Sequence, residues 1–205
     1  MLADMTVSEL LEKTAEGTPV PGGGSLSAMA AAVGAALAQM VAGLTAGRKA
    51  FAAVTPEMNE LAEKARRLRR DLLADMDRDA AAYTAVMEAF RLPRETAEEK
   101  SHRTEAIQQA TREAARVPLA VAEKALDVMM LAGTAVAKGN PNAISDGAVG
   151  AMLARAALQG ALFNVKINLR DIRDEALATR LSAEAEALDA RARALETTIL
   201  SHITL

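Results

Sequence analysis

The sequence predicts an all-α protein, a single-domain elongated bundle of six to eight helices over residues 1–205, on three observations. Apolar residues make up 51% of the chain but aromatic residues only 2%, so the core must be built from Ala, Leu, Val, Met and Ile. Ala and Leu are strong helix formers, whereas the aromatic and β-branched strand formers are thin. Apolar positions also recur at helical spacing: Leu61, Ala65, Leu68 and Leu72 mark one face, with Glu60, Glu63, Arg66, Arg67 and Arg70 on the wet side. Finally, helix start and stop signals punctuate the chain, with no strand alternation, repeat or flexible linker between them. The length is enough for one substantial core.

Thr6 or Ser8 starts a first amphipathic helix with Leu10 and Leu11 facing inward. Gly17 to Gly24 is a loop rich in Pro and Gly. A helix without a single charge then runs from Ser25 to Gly47, where Gly47 is the stop and Arg48 and Lys49 lie just past the negative helix end. Thr55-Pro56-Glu57 reads as a cap followed by proline at the first helical position, and the helical pattern continues to about Arg91 before Leu92-Pro93 breaks it. Thr96 to Glu99 has the form of a capping box. Val117-Pro118 must kink or break the helix it opens, and a further helix runs through Leu126 to Ala137. After a loop at Gly139-Asn140-Pro141, Ser145 or Asp146 caps a helix reaching about Ile172. Asp174 to Leu205 is the last, charge-rich helix.

A net charge of −3 and a pI near 5.5 argue against a nucleic-acid binder, which needs a basic patch and usually stacking aromatics. With no cysteine, disulfides and thiolate metal sites are excluded and a cytoplasmic setting is the simplest. Met1 to Glu16 carries four acidic residues and lacks the basic and apolar regions of a signal peptide. Residues 25–47 are long enough to span a membrane, but Ala, Gly, Ser and Thr dominate them, and nothing resembling a second span is evident in the sequence. They read as a buried helix rather than a membrane segment. Gly34, Ala38 and Ala42 form a small-residue stripe along it, which lets another helix, from this chain or a partner subunit, approach closely.

Three groups of residues carry chemistry. Pro21-Gly22-Gly23-Gly24-Ser25 is a glycine-rich turn feeding a helix N-terminus, where bare N–H groups and the positive dipole end favour a polar or anionic ligand. The plainer reading is a tight turn with Ser25 as helix cap. Asp71, Asp75, Asp79 and Tyr83 share one face of the third helix, while Asp77 points elsewhere. A carboxylate near that helix's apolar part acquires a raised pKa and serves as acid or base. The alternative is a solvated acidic face balanced by Arg67, Arg70 and Arg78. Asn164, Asn168 and Asp171 interrupt an apolar segment at i, i+4, i+7, lining either a polar pocket or an interhelical network. The two histidines, His102 and His202, cluster with no carboxylates at metal-ligand spacing, so no metal site is expected. No phosphate-loop or dinucleotide fingerprint is present.

Taken in order, the glycine-rich segment, Gly47-Arg48-Lys49, Asp79-Ala80-Ala81-Ala82-Tyr83, Arg91-Leu92-Pro93 with Thr96 and Glu98-Glu99-Lys100, Val117-Pro118-Leu119, Gly139-Asn140, Ser145-Asp146 and the run Phe163 to Ile172 resemble the cyclodeaminase/cyclohydrolase family of folate enzymes, over nearly the whole chain. The likeness is to the cyclodeaminase half of the bifunctional formiminotransferase–cyclodeaminases. With no formiminotransferase domain preceding it, formimino transfer is not expected. The resemblance implies a homodimer that binds tetrahydrofolate derivatives near the subunit interface, with no metal or redox cofactor. It implies Asp79 as the catalytic residue of a D-x-x-x-[FY] motif, and Gly22, Gly23, Gly24 and Ser25 against the folate. Asn140, Asn164, Asn168 and Asp171 are expected as polar contacts to the pterin and Arg48 as a contact to the glutamate tail. The leading expectation is a 5-formimidoyl-tetrahydrofolate cyclodeaminase that releases ammonia. Methenyl-tetrahydrofolate cyclohydrolase is the alternative, and a non-catalytic folate-binding or scaffold protein the third reading.

Overall fold

The computed structural model describes residues 1–203. Its α-helices are α1 (Val7–Ala15), α2 (Gly23–Thr45), α3 (Thr55–Arg91), α4 (Ala97–Lys138), α5 (Ile144–Leu169) and α6 (Glu175–Ser201), with short 3-10 turns at Leu2–Asp4, Lys49–Val54 and Pro141–Ala143. No strand occurs among the described residues. The uncharged α2 is the axis of the bundle, packed against α3, α4 and α5, while α6 lies across α4 and α5.

The expected signals hold at most helix ends. Thr6 and Glu9 close a capping box on α1, and Thr96 and Glu99 close one on α4. Gly47 follows the end of α2 at φ +78°, a left-handed conformation that suits glycine. Asp174 accepts from Leu177 N–H and caps α6. The expectation for α6 extended to Leu205, and Thr204 and Leu205 lie outside the described residues.

Other expectations are corrected. Leu10 is buried but Leu11 is exposed. Ser25 is no cap: α2 starts two residues earlier, with Gly22 at the N-cap position. Ser145 and Asp146 lie inside the first turn of α5 and cap nothing, and α5 stops at Leu169 rather than Ile172. Pro118 does not end a helix. α4 runs through it unbroken for 42 residues, because the packed apolar face on either side, from Ala115 and Val117 to Val121 and Ala122, outweighs one lost ladder bond.

The Gly34, Ala38 and Ala42 stripe is buried within the chain. A β-carbon on Gly34 would meet the Gly150 carbonyl oxygen at 2.7 Å, and one on Gly150 would meet the Gly34 carbonyl oxygen at 3.1 Å. The small residues therefore seat α2 on α5 of the same chain, and they are not available to a partner subunit. The two helices run antiparallel, with Gly23 near Asn164 at one end and Gly34 against Gly150 further along. The sequence expectation of no second span is also corrected. Pro141–Leu169 is, like Gly23–Thr45, long and apolar enough to cross a membrane, and half of each window is buried inside the bundle.

Two ionic clusters cross the bundle. Asp75, 1% exposed, pairs with Arg78 at 2.9 Å and with Lys124 of α4 at 2.5 Å. Arg155 of α5 joins Asp189 at 2.9 Å and Glu196 at 3.3 Å, both on α6.

Candidate active site

The N-terminus of α2 faces the middle of α3, and the acidic stripe on α3 divides there by environment. Asp71 is exposed, Asp75 is locked in its ion cluster, and Asp79 turns toward the glycine-rich turn. The solvated-face alternative therefore fails for Asp75 and Asp79, although Arg78 does pair with Asp75. Asp77 points to another side, as its register requires, and accepts from Leu2 N–H at 2.7 Å.

Asp79 fits because Gly24 lacks a side chain. The carboxyl group lies in the space a β-carbon there would fill. Ser25 N–H, left without an intrahelical partner by the start of the helix, lies at the same helix end that faces the carboxyl. Ser25 Oγ lies 2.8 Å from Asp79 Oδ2 and 3.0 Å from the Met76 carbonyl oxygen. A hydroxyl has one proton, and a carbonyl can only accept. With Asp79 protonated, the carboxyl donates to Ser25 Oγ while Ser25 donates to Met76. With Asp79 ionised, the hydroxyl turns to the carboxylate. Both protonation states thus have a partner. Burial pushes the Asp79 pKa above the usual carboxylate range, and the Ser25 hydrogen bonds oppose that rise without cancelling it.

A cavity of about 390 Å³ opens beside this carboxyl. Gly22, Gly23 and Gly24 form one wall, and Asp79, Ala82, Tyr83 and Val86 of α3 another. Ala114 of α4, Asn164, Ile167, Asn168 and Asp171 from α5 and the turn after it, and Pro19 and Val20 ahead of the glycines complete the lining. Asn168 Nδ2 donates to the Ala114 and Asn164 carbonyls at 2.8 and 2.9 Å, and Asn164 Nδ2 donates to the Gly160 carbonyl at 2.9 Å. Asp171 sits on the rim, in a turn held by Gln108, whose Nε2 donates to Asp171 O and whose Oε1 accepts from Arg173 N–H.

Seven of the sequence-predicted residues thus line this cavity: Gly22, Gly23, Gly24, Asp79, Asn164, Asn168 and Asp171. Ser25 stands behind them, bonded to Asp79. Two are elsewhere. Arg48 and Asn140 lie at the opposite end of α2, a helix of 23 residues and so roughly 35 Å long. Asn140 is buried, its N–H donating to Thr45 Oγ1 and its Nδ2 to Leu44 O, which ties the turn between α4 and α5 to the end of α2. Arg48 is exposed beside that end. Sequence reasoning missed Ala82 and Val86 as lining residues. Both follow from Asp79 by the same-face rule, at i+3 and i+7. Ala114 carried no such signal.

Comparison with known proteins follows the same lines. The sequence model of the formiminotransferase-cyclodeaminase family matches residues 6–187. A methenyltetrahydrofolate cyclohydrolase from Methylorubrum extorquens is 40% identical over 95% of this chain and 94% of its own length. A formimidoyltransferase-cyclodeaminase from Gallus gallus is 38% identical over 79% of this chain but only 30% of its own length. This chain therefore spans about a third of that relative. A crystal structure of a formiminotetrahydrofolate cyclodeaminase from Thermotoga maritima superimposes with a TM-score of 0.89 at 29% identity, over 98% of this chain and 97% of the other.

Proposed function

The chain belongs to the formiminotransferase-cyclodeaminase family, and on that premise we propose that it is a folate one-carbon enzyme that hydrolyses 5,10-methenyl-tetrahydrofolate to 10-formyl-tetrahydrofolate. The observation that carries the reading is Asp79: a carboxyl with a raised pKa, with a partner for each protonation state, beside a cavity walled by polar side chains. The full-length likeness to a cyclohydrolase favours water as the nucleophile.

In this mechanism the Asp79 carboxylate takes a proton from water as its oxygen bonds to the methenyl carbon between N5 and N10. The tetrahedral adduct then breaks its bond to N5. Asp79 returns the proton to N5, and the adduct hydroxyl loses its own to solvent, leaving the formyl group on N10. The methenyl bridge is cationic, so the carboxylate also stabilises the bound substrate electrostatically. General acid–base catalysis of this kind contributes ~10²–10⁴-fold. The chemistry is proton transfer and C–N cleavage and calls on no metal or redox cofactor.

Cyclodeamination is the second reading, favoured by the likeness to the Thermotoga protein along both chains. There N10 attacks the formimino carbon on N5, and Asp79 carries the N10 proton to the departing ammonia. Both reactions pass through a tetrahedral carbon at the same place. Side-by-side assays separate them: loss of methenyl absorbance above the spontaneous rate, against ammonia release from 5-formimino-tetrahydrofolate. A protein that turns over only the formimino substrate sinks the hydrolytic reading, and one that turns over neither sinks both.

We further propose a cytoplasmic homodimer. Its support is the apolar surface the two helices leave uncovered: α2 exposes Val33, Met40 and Leu44, and α5 exposes Val149, Met152, Phe163 and Ile167, none of them charged. Light scattering of Val33→Asp/Met152→Asp tests this, with a monomer expected. A wild-type protein that is itself monomeric at working concentration refutes the dimer.

A further inference from the structure

We propose that Pro118 is a positioning residue for this pocket: by withholding a backbone N–H from Ala114, it holds the Asn168 side chain as a pure acceptor for an N–H donor of the ligand. In an unbroken helix the carbonyl of Ala114 is filled by the N–H of the residue four places on. That residue is Pro118, which has no N–H and whose ring presses the carbonyl outward. Ala114 lines the pocket, and Asn168 Nδ2 donates to its carbonyl across the gap between α4 and α5 at 2.8 Å. The other proton of the same amide goes to Asn164 O at 2.9 Å.

A side-chain amide has two donors and one acceptor oxygen, and here both donors are occupied by backbone carbonyls. The reverse orientation would set the Asn168 oxygen against two carbonyl oxygens, so the chemistry of the partners fixes the amide. Oδ1 is the polar atom left for a ligand. With the carboxyl group of Asp171 on the same wall, it makes this side of the pocket predominantly accepting. Such a wall selects a ligand edge made of N–H groups. Under the folate reading, on which this identification rests, that edge is the 2-amino and ring N–H side of the pterin.

The proposal has one readout that needs no folate and one that does. In the nitrogen–proton NMR spectrum, the Asn168 amide pair is assigned by its disappearance in Asn168→Ala. Both protons exchange slowly in the wild type. In Pro118→Ala, which restores the helical N–H, at least one becomes fast-exchanging. Equilibrium binding of 5-formyl-tetrahydrofolate, a stable probe, weakens about 3- to 10-fold in Pro118→Ala, the size of one neutral hydrogen bond. KM for the folate substrate rises while kcat changes less. Because Pro118 acts through Asn168, Pro118→Ala/Asn168→Ala binds no more weakly than Asn168→Ala alone. An amide pair indifferent to Pro118→Ala overturns the positioning role. A freed amide with unchanged affinity, or a further loss in the double variant, overturns the readout of the ligand. A wild type that binds no 5-formyl-tetrahydrofolate removes the folate reading and with it the pterin assignment, while the exchange measurement still decides the role of Pro118.

Discussion

The carboxyl group of Asp79 occupies the space that a β-carbon on Gly24 would take, with Cγ and Oδ2 at 2.6 and 2.7 Å from that position. Gly24 is therefore required by the acid and not by a turn, since it lies within α2 without a left-handed φ. Gly24→Ala raises helix propensity by about 1 kcal/mol yet must push Asp79 aside. We expect a folded protein whose turnover falls at least tenfold, read by methenyl hydrolysis alongside a melting curve. Wild-type rates in that variant would show that Asp79 need not lie there.

Asp79→Asn keeps the shape and removes the proton transfer. Turnover should fall ~10²–10⁴-fold. Its effect on stability runs the other way. The folded state raises the Asp79 pKa, so it holds the proton more tightly than the unfolded chain does. The wild type loses stability as pH climbs from the unfolded pKa through the folded one. Asparagine carries no charge, so the variant should melt no lower than wild type at pH 7 and should lack that part of the pH dependence. A large drop in its melting temperature would contradict this account.

Ser25→Ala removes a hydrogen bond that favours ionised Asp79. The pKa should climb further, so the limb of the kcat/KM profile on which the base ionises moves to higher pH. Activity at saturating pH should recover more fully than activity at neutral pH. A profile that keeps its midpoint would mean that Ser25 does not govern this titration.

Much of this was legible in the sequence, and the exceptions share a cause. Helix identities and the capping box at Thr96 follow from local spacing, which depends on chain geometry alone. Spacing places Asp79 on a face shared with Asp71 and Asp75, and it is the family resemblance that singles it out as the acid. Pro118 misled because its cost is local but its compensation is not: the packing that carries α4 through it, and the asparagine that takes up its orphaned carbonyl, come from elsewhere in the fold. The separation of Arg48 and Asn140 from the cavity has a related reason. They are polar residues at a turn, and only the length of α2 reveals that this turn lies at the other end of the bundle. The small-residue stripe was read correctly as a close-approach surface, but a sequence does not say which helix will approach.

Asp75 tests the structural half of the acidic stripe. Its side chain is 2% exposed and Lys124 is the partner that reaches it from α4. Lys124→Ala leaves a buried carboxylate with Arg78 alone, at a cost of about 3 kcal/mol. The melting temperature should drop by roughly 6–12 °C. At temperatures where the variant stays folded, turnover should remain within a few-fold of wild type, because Asp79 keeps its own partners. A collapse of activity without a change in melting would assign Asp75 to the chemistry after all.

The contact of Gly34 with Gly150 sets the gauge of the pocket. Two backbones meet there with nothing softer between them, and the same two helices carry the glycine wall and the asparagine wall a few turns away. Side chains can change rotamer to admit a larger guest, but a carbonyl pressed against a neighbouring helix has no second position. The gap is thus cut to one width when the chain folds. Descendants of this sequence can alter what they accept by changing the rim, whereas widening the slot would require them to rebuild the seam.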